Sequence, residues 1–151
     1  MMSRLLDVLT SRLAKPEEIN GASRCPTYLY RWELLSIASG WARVYLHKFV
    51  GDDWALDLHD HPKRFWSIGL AGSYIEIRHA KRWRRWTAPW IRSFPAEHRH
   101  RLIGPTPESP CWTLVIVGPP VREWGFWSVI GFQPWKQYVS LSNPHAKPSC
   151  T

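Results

Sequence analysis

The sequence lacks several features that would assign it to a common class. It has no apolar run of about 18 residues, the minimum for a membrane-spanning helix, so no membrane partner is predicted. Residues 1–18 contain neither a long apolar stretch nor a small-residue cleavage site, which argues against a secretory signal. The chain contains no repeat and no low-complexity segment. We therefore expect a cytoplasmic globular protein.

Cysteine is scarce, with three residues at wide spacing: Cys25, Cys111 and Cys150. An odd number without a CxxC pair suggests neither a disulfide framework nor a thiol metal or redox site. The sequence thus predicts three reduced cysteines, as is usual in cytosolic proteins.

Acidic residues are few relative to basic ones, 12 against 20, giving a net charge of +8 and an isoelectric point near 9.8. This balance favours anionic partners such as phosphorylated metabolites, nucleotides or nucleic acid. The alternative is that the charge serves solubility alone.

What is present fits a single domain: 151 residues, 44% of them hydrophobic, with 11 tryptophans that need a thick core or a contact surface. Apolar residues over 3–14 follow a helical period, with Ser3 as a candidate N-cap and Pro16 after the end. After this helix the pattern changes to about nine or ten short strands at 8–12-residue spacing, which is typical of a sandwich or barrel. The strands are predicted at residues 28–35, 41–50, 56–61, 64–70, 73–78, 90–94, 98–103, 112–117 and 123–130.

Two details refine this pattern. Gly72 predicts the turn of a hairpin joining strands 64–70 and 73–78. Strand 112–117 is apolar on both faces, which indicates a central, doubly covered strand. We divide the chain into a helix and linker (1–20), a β domain (21–138) and an extended or loosely held tail (139–151).

Four of the seven histidines form two HxH pairs, His59/His61 and His98/His100. Residues i and i+2 of a strand share a face, so each pair directs two imidazoles to one point, as neighbouring metal ligands require. Asp60 would then face the other way, as would Arg99. The alternative for the HDHP segment is a hydrogen-bonded turn.

The spacing around His59 and His61 resembles the first motif of the cupins, a family of small jelly rolls. That motif runs HxH, three or four residues, Glu, six residues and Gly. Gly72 fits its last position, but Phe65 occupies the glutamate position.

The second cupin motif, Pro-x-Gly-x-x-His, is matched by Pro95 and His100, with Glu97 at the glycine position. Over residues 28–138 the chain also resembles short cupin-like proteins encoded by phages and prophages. The segments that carry this likeness are HDHP 59–62, GSYIE 72–76, AEHRHR 96–101, CWTLVIVG 111–118 and REWGFW 122–127. The resemblance implies an all-β cupin-type jelly roll, a double-stranded β-helix barrel, with a short N-terminal α-helix.

In a cupin, His59, His61 and His100 would converge on a divalent metal inside the barrel. Without the carboxylate at Phe65, the set resembles the three-histidine iron sites of thiol dioxygenases, so we expect Fe(II) or zinc. His98 is a candidate fourth ligand. His47 is a further candidate ligand or a buried barrel histidine. If the protein is an enzyme, the resemblance implies a metal-dependent, dioxygenase-like oxygenase.

A small anionic molecule is the expected occupant of the barrel, oriented by Arg43, Tyr45 or Arg122. For Arg122 the alternative is an ion pair at the rim. Glu76 and Glu97 are the carboxylates nearest the motifs, and each is a general base, a replacement ligand or, as we expect, a surface charge. Cupin-like barrels often pair through exposed strands, which makes a homodimer a further expectation.

The stretch RHAKRWRRWTAPW, residues 78–90, alternates basic and aromatic residues. Basic groups neutralise phosphates and aromatic faces stack on bases, so the stretch suggests a nucleotide or nucleic-acid contact. Alternatively, its tryptophans pack on the barrel beneath arginine stems. The candidate contact residues are Arg82, Trp83, Arg84, Arg85 and Trp86.

Overall fold

The computed structural model describes residues 1–21, 25–37, 41–140 and 142–150, and for Lys81 the backbone only. The first element is helix α1 (Met2–Thr10), which is shorter than the predicted 3–14. Ser3 does not cap it. Its hydroxyl instead accepts a hydrogen bond from Trp112 Nε1 at 3.2 Å, while Leu6 packs on the same tryptophan's cluster. Within the described residues, no helix has the length and apolarity needed to cross a membrane.

The rest of the fold is built from strands, with helix α2 (Trp135–Tyr138) after the last of them. In chain order the strands are β1 (Glu17–Ile19), β2 (Leu29–Ile37), β3 (Ala42–Phe49), β4 (Leu58–His59), β5 (Phe65–Ala71), β6 (Ser73–Arg78), β7 (Trp83–Thr87), β8 (Trp90–Phe94), β9 (His100–Ile103), β10 (Cys111–Val117), β11 (Gly125–Ser128) and β12 (Gly131–Pro134).

The strands form two six-stranded antiparallel sheets. Sheet A has the order β1-β2-β3-β10-β5-β8, and sheet B has the order β12-β11-β4-β9-β6-β7. Their inner faces pack around the core and a central cavity, as in a double-sheet jelly roll. The all-β jelly roll with one N-terminal helix is therefore confirmed.

The predicted hairpin between β5 and β6 is wrong. β5 pairs with β10 and β8 in sheet A, whereas β6 pairs with β9 and β7 in sheet B. Gly72 does turn the chain, at φ 77°, but the turn passes from one sheet to the other. A Cβ there would lie 2.2 Å from the carbonyl oxygen of Pro110. Both the positive φ and this clash require glycine at the corner. Local alternation and a turn residue do not reveal which sheet receives the next strand.

Strand β10 lies between β3 and β5, which confirms the predicted central strand. Its first three residues, Cys111, Trp112 and Thr113, are buried, and Trp112 stacks on Trp32 with ring centroids 5.8 Å apart. Several other tryptophans complete the core, among them Trp54, Trp86 and Trp90. Much of the unusual tryptophan content is therefore core material.

The C-terminal segment and two cysteines differ from expectation. Cys25 and Cys150 form a disulfide, with their Cα atoms 5.7 Å apart, while Cys111 is free and buried. The expectation of three reduced cysteines is thus wrong for two of them, because the tail returns to the barrel. Ser149 Oγ donates to the carbonyl of Asp53 at 2.9 Å, and Pro148 bridges to Ala55. The tail is therefore held against the barrel rather than loosely attached.

Candidate metal centre

His59, His61 and His100 meet inside the barrel. Strand β4 ends at His59, which lies opposite His100 of β9 in the antiparallel register. The chain then leaves the strand, and the His61 amide donates to the carbonyl of Ala96 at 2.9 Å. One ring nitrogen from each histidine lies within 4.8 Å of the others, and the Nε2 atoms of His61 and His100 are 2.9 Å apart. The structure thus brings together the three residues predicted as metal ligands.

This histidine cluster lies at the wall of a cavity of about 650 Å³ between the two sheets. The lining is mainly apolar and aromatic, which is typical of a small-molecule site. Its larger apolar and aromatic members are Leu29, Tyr28, Tyr45, Phe49, Trp54, Phe65, Tyr74, Phe94, Leu102, Val115, Trp124, Phe126 and Trp135.

His61 and His100 are neutral at physiological pH. Burial lowers the pKa of His61 well below its usual value, and the neighbouring histidines lower it further. Burial also lowers the pKa of His100, to about 4, even though Glu76 opposes the shift. Neutral imidazoles carry the free lone pairs that a metal requires.

A buried carboxylate, Glu76, lies behind His100. Its Oε1 atom is 3.0 Å from His100 Nδ1 and 2.5 Å from His98 Nε2, and its Oε2 atom accepts from Arg78 and Trp86. Burial alone would raise the pKa of Glu76, but hydrogen bonds from His100 and His98 outweigh burial and hold the pKa well below its usual range. The expected surface role for Glu76 is therefore wrong, because its position on β6 faces the interior.

A second buried carboxylate accompanies His59. Asp53 Oδ2 lies 3.6 Å from His59 Nδ1 and accepts the Leu102 amide at 2.7 Å. Burial raises the pKa of Asp53, and His59 counteracts that effect. A carboxylate that hydrogen bonds to Nδ1 directs Nε2 of the same ring to the opposite side, which is how metal-binding histidines are commonly oriented. Glu76 makes this contact with His100, whereas Asp53 lies beyond hydrogen-bond length of His59 and interacts with it electrostatically.

The residue between the two HxH histidines faces away from the cluster, as predicted. Asp60 is fully buried and accepts from Arg122 Nη1 at 2.6 Å, Trp127 Nε1 at 2.9 Å and the Gly125 amide at 2.9 Å. Arg99 also points outward, with its guanidinium over the Trp127 ring. Asp60 therefore anchors the segment that carries His59 and His61 to the neighbouring strand β11.

The position of the cupin glutamate offers no ligand atom. The Phe65 ring lies 4.6 Å from the His61 ring and stacks on Phe94 at 5.0 Å. His98 belongs to a second compact group, with Glu76 and His100, rather than to the set of three. His47 lies in neither group of the described residues, since it is on β3 in the opposite sheet.

Three convergent imidazoles, with buried carboxylates beside two of them, fit a divalent transition metal. Nitrogen ligands and tautomer-fixing partners of this kind suit zinc or iron(II). The Nε2–Nε2 approach of His61 and His100 is also what two ligands to one ion would show.

The residues expected to orient a ligand are only partly in place. Tyr45 lines the cavity, but Arg43 and Arg122 do not. Arg43 is paired with Glu33 at 3.3 Å, and Arg122 with Asp60, so the rim ion pair is the observed arrangement for Arg122. Within the part of the chain that the structure describes, the cations that line the cavity are Arg31 and Lys63. Arg31 could have been found from the alternation of strand β2, since it shares a face with the buried Leu29.

The Arg/Trp stretch is split between surface and core. Strand β7 is the edge of sheet B, and Trp83 is 70% exposed beside exposed Arg82, Arg84 and Arg85. Trp86, in contrast, is 6% exposed and donates to Glu76 at 3.0 Å. Its expected role as a stacking surface is therefore wrong, because it is part of the support for the histidine cluster.

Solved structures share this architecture. A DMSP lyase, DddQ from Ruegeria pomeroyi, aligns with 76% of the chain at 17% identity and a TM-score of 0.58. A protein of unknown function with a cupin-like fold, from Ralstonia eutropha, aligns with 80% of the chain and 70% of its own length, at 13% identity and a TM-score of 0.55. The chain has the cupin fold. A Klebsiella pneumoniae protein with a double-stranded β-helix domain aligns over 64% of this chain and 81% of its own length, with 14% identity and a TM-score of 0.50.

These likenesses concern the fold. The chain spans 61% of the length of the Ruegeria lyase. No protein-family model and no curated protein matches its sequence. The resemblance to phage-encoded cupins stays a prediction.

Proposed function

We propose that this protein is a metal-binding cupin that acts on, or holds, a small molecule in its barrel. The proposal depends on one observation: ring nitrogens of His59, His61 and His100 lie within 4.8 Å of one another at the wall of a largely apolar cavity. When bound, iron(II) or zinc would supply Lewis acidity to the molecule in the cavity, and iron(II) would add the redox chemistry of a dioxygenase-like oxygenase.

The chain's own groups support the histidines and shape the cavity. Glu76 orients the His100 ring through its contact with Nδ1, and Asp53 places a carboxylate near His59. The largely aromatic lining lowers the local polarity, which strengthens electrostatic interactions inside the cavity.

The charges of the lining bear on the expected anionic ligand. Among the described residues, the lining has two cations, Arg31 and Lys63, and three carboxylates, Glu17, Glu18 and Asp53, so these charges do not by themselves favour an anion. A divalent cation held by the three imidazoles would favour an anionic ligand. An anionic group of the ligand is therefore expected beside the histidine cluster, with Tyr45 as the remaining candidate among the three residues expected to orient it.

Elemental analysis of protein purified after iron or zinc supplementation tests the site. We expect about one equivalent of metal in the wild type and loss of it in His59→Ala and His100→Ala, since each removes a ligand. His145→Ala is the matched control, because His145 is exposed in the tail. A wild type without metal under both conditions contradicts the proposal. Dioxygen uptake by the iron-loaded protein, measured with candidate ligands, separates an oxygenase from a zinc-binding or non-catalytic cupin.

A second candidate function is capture of a nucleotide or nucleic acid by the exposed part of the Arg/Trp stretch. An exposed tryptophan among exposed arginines on an edge strand supports it, since such surfaces combine stacking with phosphate neutralisation. Affinity for a short single-stranded oligonucleotide should fall steeply with salt. It should fall further in Trp83→Ala and in Arg84→Ala/Arg85→Ala, but not in Arg4→Ala on helix α1. Salt-independent binding would count against this function.

The expected homodimer belongs to the same set of proposals, with the exposed edge strands β7 and β8 as the pairing surfaces. Sedimentation equilibrium tests it directly. A monomer at all concentrations would exclude it.

A further inference from the structure

We propose that His47 and Thr113 form a polar subsite that binds an uncharged hydroxyl or amide group of the ligand, on the wall opposite the histidine cluster. The inference deepens the proposed function, since it defines the ligand that the cavity accepts.

The two residues are neighbours on one wall. His47 of β3 and Thr113 of β10 are direct partners in the antiparallel register of sheet A, and both line the cavity. His59 and His100 belong to sheet B and line the same cavity. A single ligand held between the sheets can therefore meet the histidine cluster on one side and this pair on the other.

Both side chains carry a polar atom without a partner. His47 Nε2 and Thr113 Oγ1 are shielded from bulk solvent, and neither has a hydrogen-bond partner within the described ranges. Buried polar atoms are nearly always hydrogen bonded, so two unpaired ones side by side in a cavity wall indicate a partner that enters the cavity. Thr113 shares the inward face of β10 with Val115, and both line the cavity, so the cavity is the side from which a ligand would meet this residue.

His47 and Thr113 are uncharged, and the one charged residue paired with His47 in the sheet, Arg31, is balanced by a carboxylate. Burial lowers the pKa of His47 to about 3, with Arg31 adding to the shift, so the imidazole is neutral. Arg31, the partner of His47 on β2, gives Nε and Nη2 to Glu17 Oε2 at 2.9 and 2.6 Å. Its charge is thus matched within the protein.

The chemistry of the pair selects the group it binds. A threonine hydroxyl both donates and accepts, and a neutral imidazole does one or the other according to its tautomer. A hydroxyl or a primary amide satisfies both residues in either tautomer. The adjacent lining is apolar, with Phe49 and Val115 next along β3 and β10 on the same face, so the body of the ligand is expected to be apolar or aromatic.

Four probes of one shape test the subsite: benzyl alcohol, benzamide, benzoate and toluene. Their affinities are measured by calorimetry or by tryptophan fluorescence, in metal-loaded and metal-free protein. We expect the alcohol and the amide to bind wild type about fivefold more tightly than toluene, the effect of one net hydrogen bond. Thr113→Val, which keeps the side-chain shape, should remove this preference without weakening toluene. Thr87→Val, at an exposed position on β7, is the matched control and should retain it.

Stability supplies an independent readout. Because the Thr113 hydroxyl has no protein partner, Thr113→Val should have a urea midpoint equal to or above that of wild type, while losing the preference. His47→Phe should behave likewise. A lower midpoint in Thr113→Val would show a structural partner for the hydroxyl and overturn the subsite.

The remaining outcomes are equally distinct. Retention of the preference in Thr113→Val, or tightest binding by benzoate in metal-free protein, would overturn the subsite. Metal content is measured in parallel. If the wild type binds metal but does not prefer the alcohol and the amide over toluene, only the subsite is overturned. If it shows this preference but binds no metal, only the metal-binding function is overturned.

Discussion

The Nε2 atoms of His61 and His100 lie 2.9 Å apart inside the barrel. Two protonated rings at this distance would repel each other, and burial already disfavours the charged form of each. The stable arrangements are neutral rings that share a proton or direct lone pairs to one cation. In either case the folded protein keeps these histidines uncharged under conditions in which free histidine binds a proton.

The first prediction concerns the pH dependence of stability in metal-free protein. The pKa of His100 is lowered from 6.5 to about 4 on folding, mainly by burial. Between these values the unfolded chain binds a proton that the folded chain does not, so stability present above pH 6.5 is lost as the pH falls towards 4. Each such histidine contributes up to about 1.4 kcal/mol per pH unit. Urea unfolding across this window measures the slope of stability against pH. The slope should decrease in His47→Phe, because burial lowers the pKa of His47 as well, to about 3. A flat profile would contradict it.

The second prediction concerns Glu76, which accepts hydrogen bonds at both carboxylate oxygens. Glu76→Gln replaces one acceptor oxygen with a donor and removes the charge that compensates Arg78. We expect a loss of about 3 kcal/mol in the free energy of unfolding, and metal affinity reduced by about 10- to 100-fold. Urea unfolding and chelator competition measure the two effects. Glu97→Gln, at an exposed position, is the control and should change neither.

Strand spacing predicted a sandwich or barrel, and alternation placed the two histidines of each HxH pair on one face, because both are local properties. The jelly roll and the convergence of His59, His61 and His100 were implied by the resemblance to cupins and not by spacing. The sequence did not predict that Glu76 supports the cluster or that Trp86 is buried against it. Those contacts depend on the pairing of β6 with β7 and β9, which joins residues 10 and 24 positions apart. The same long-range pairing decides that the chain changes sheets at Gly72.

The roles of the charged residues were the hardest to predict from the sequence. Arg43 alternates with inward residues on β3, and Arg122 lies just before β11, yet each is engaged by a carboxylate from another part of the chain. The disulfide between Cys25 and Cys150 was missed for the same reason, because only the folded tail brings the two together.

The third prediction compares the stability lost when Arg122 or Arg43 is replaced. Arg122→Met leaves the fully buried Asp60 without its cation, so we expect a loss of about 3 kcal/mol in the free energy of unfolding and weaker metal binding. Arg43→Met breaks a pair whose side chains are 40% and 43% exposed, so its loss should be much smaller than that of Arg122→Met. Urea unfolding compares them. Equal losses would show that the burial of Asp60 does not govern the pair.

The fourth prediction tests whether a metal lies beside Phe65. Phe65→Glu removes a ring that contacts His61 and Phe94, and buries a carboxylate in its place. The metal-free variant should lose about 3–5 kcal/mol of stability. A cation held by His59, His61 and His100 would gain a carboxylate ligand and compensate its charge, so saturating metal should raise the unfolding midpoint more in Phe65→Glu than in wild type. Phe65→Gln is the matched control, with similar size and no charge. An equal metal-induced shift in the two variants would place the ion away from residue 65, in favour of the group formed by Glu76, His98 and His100.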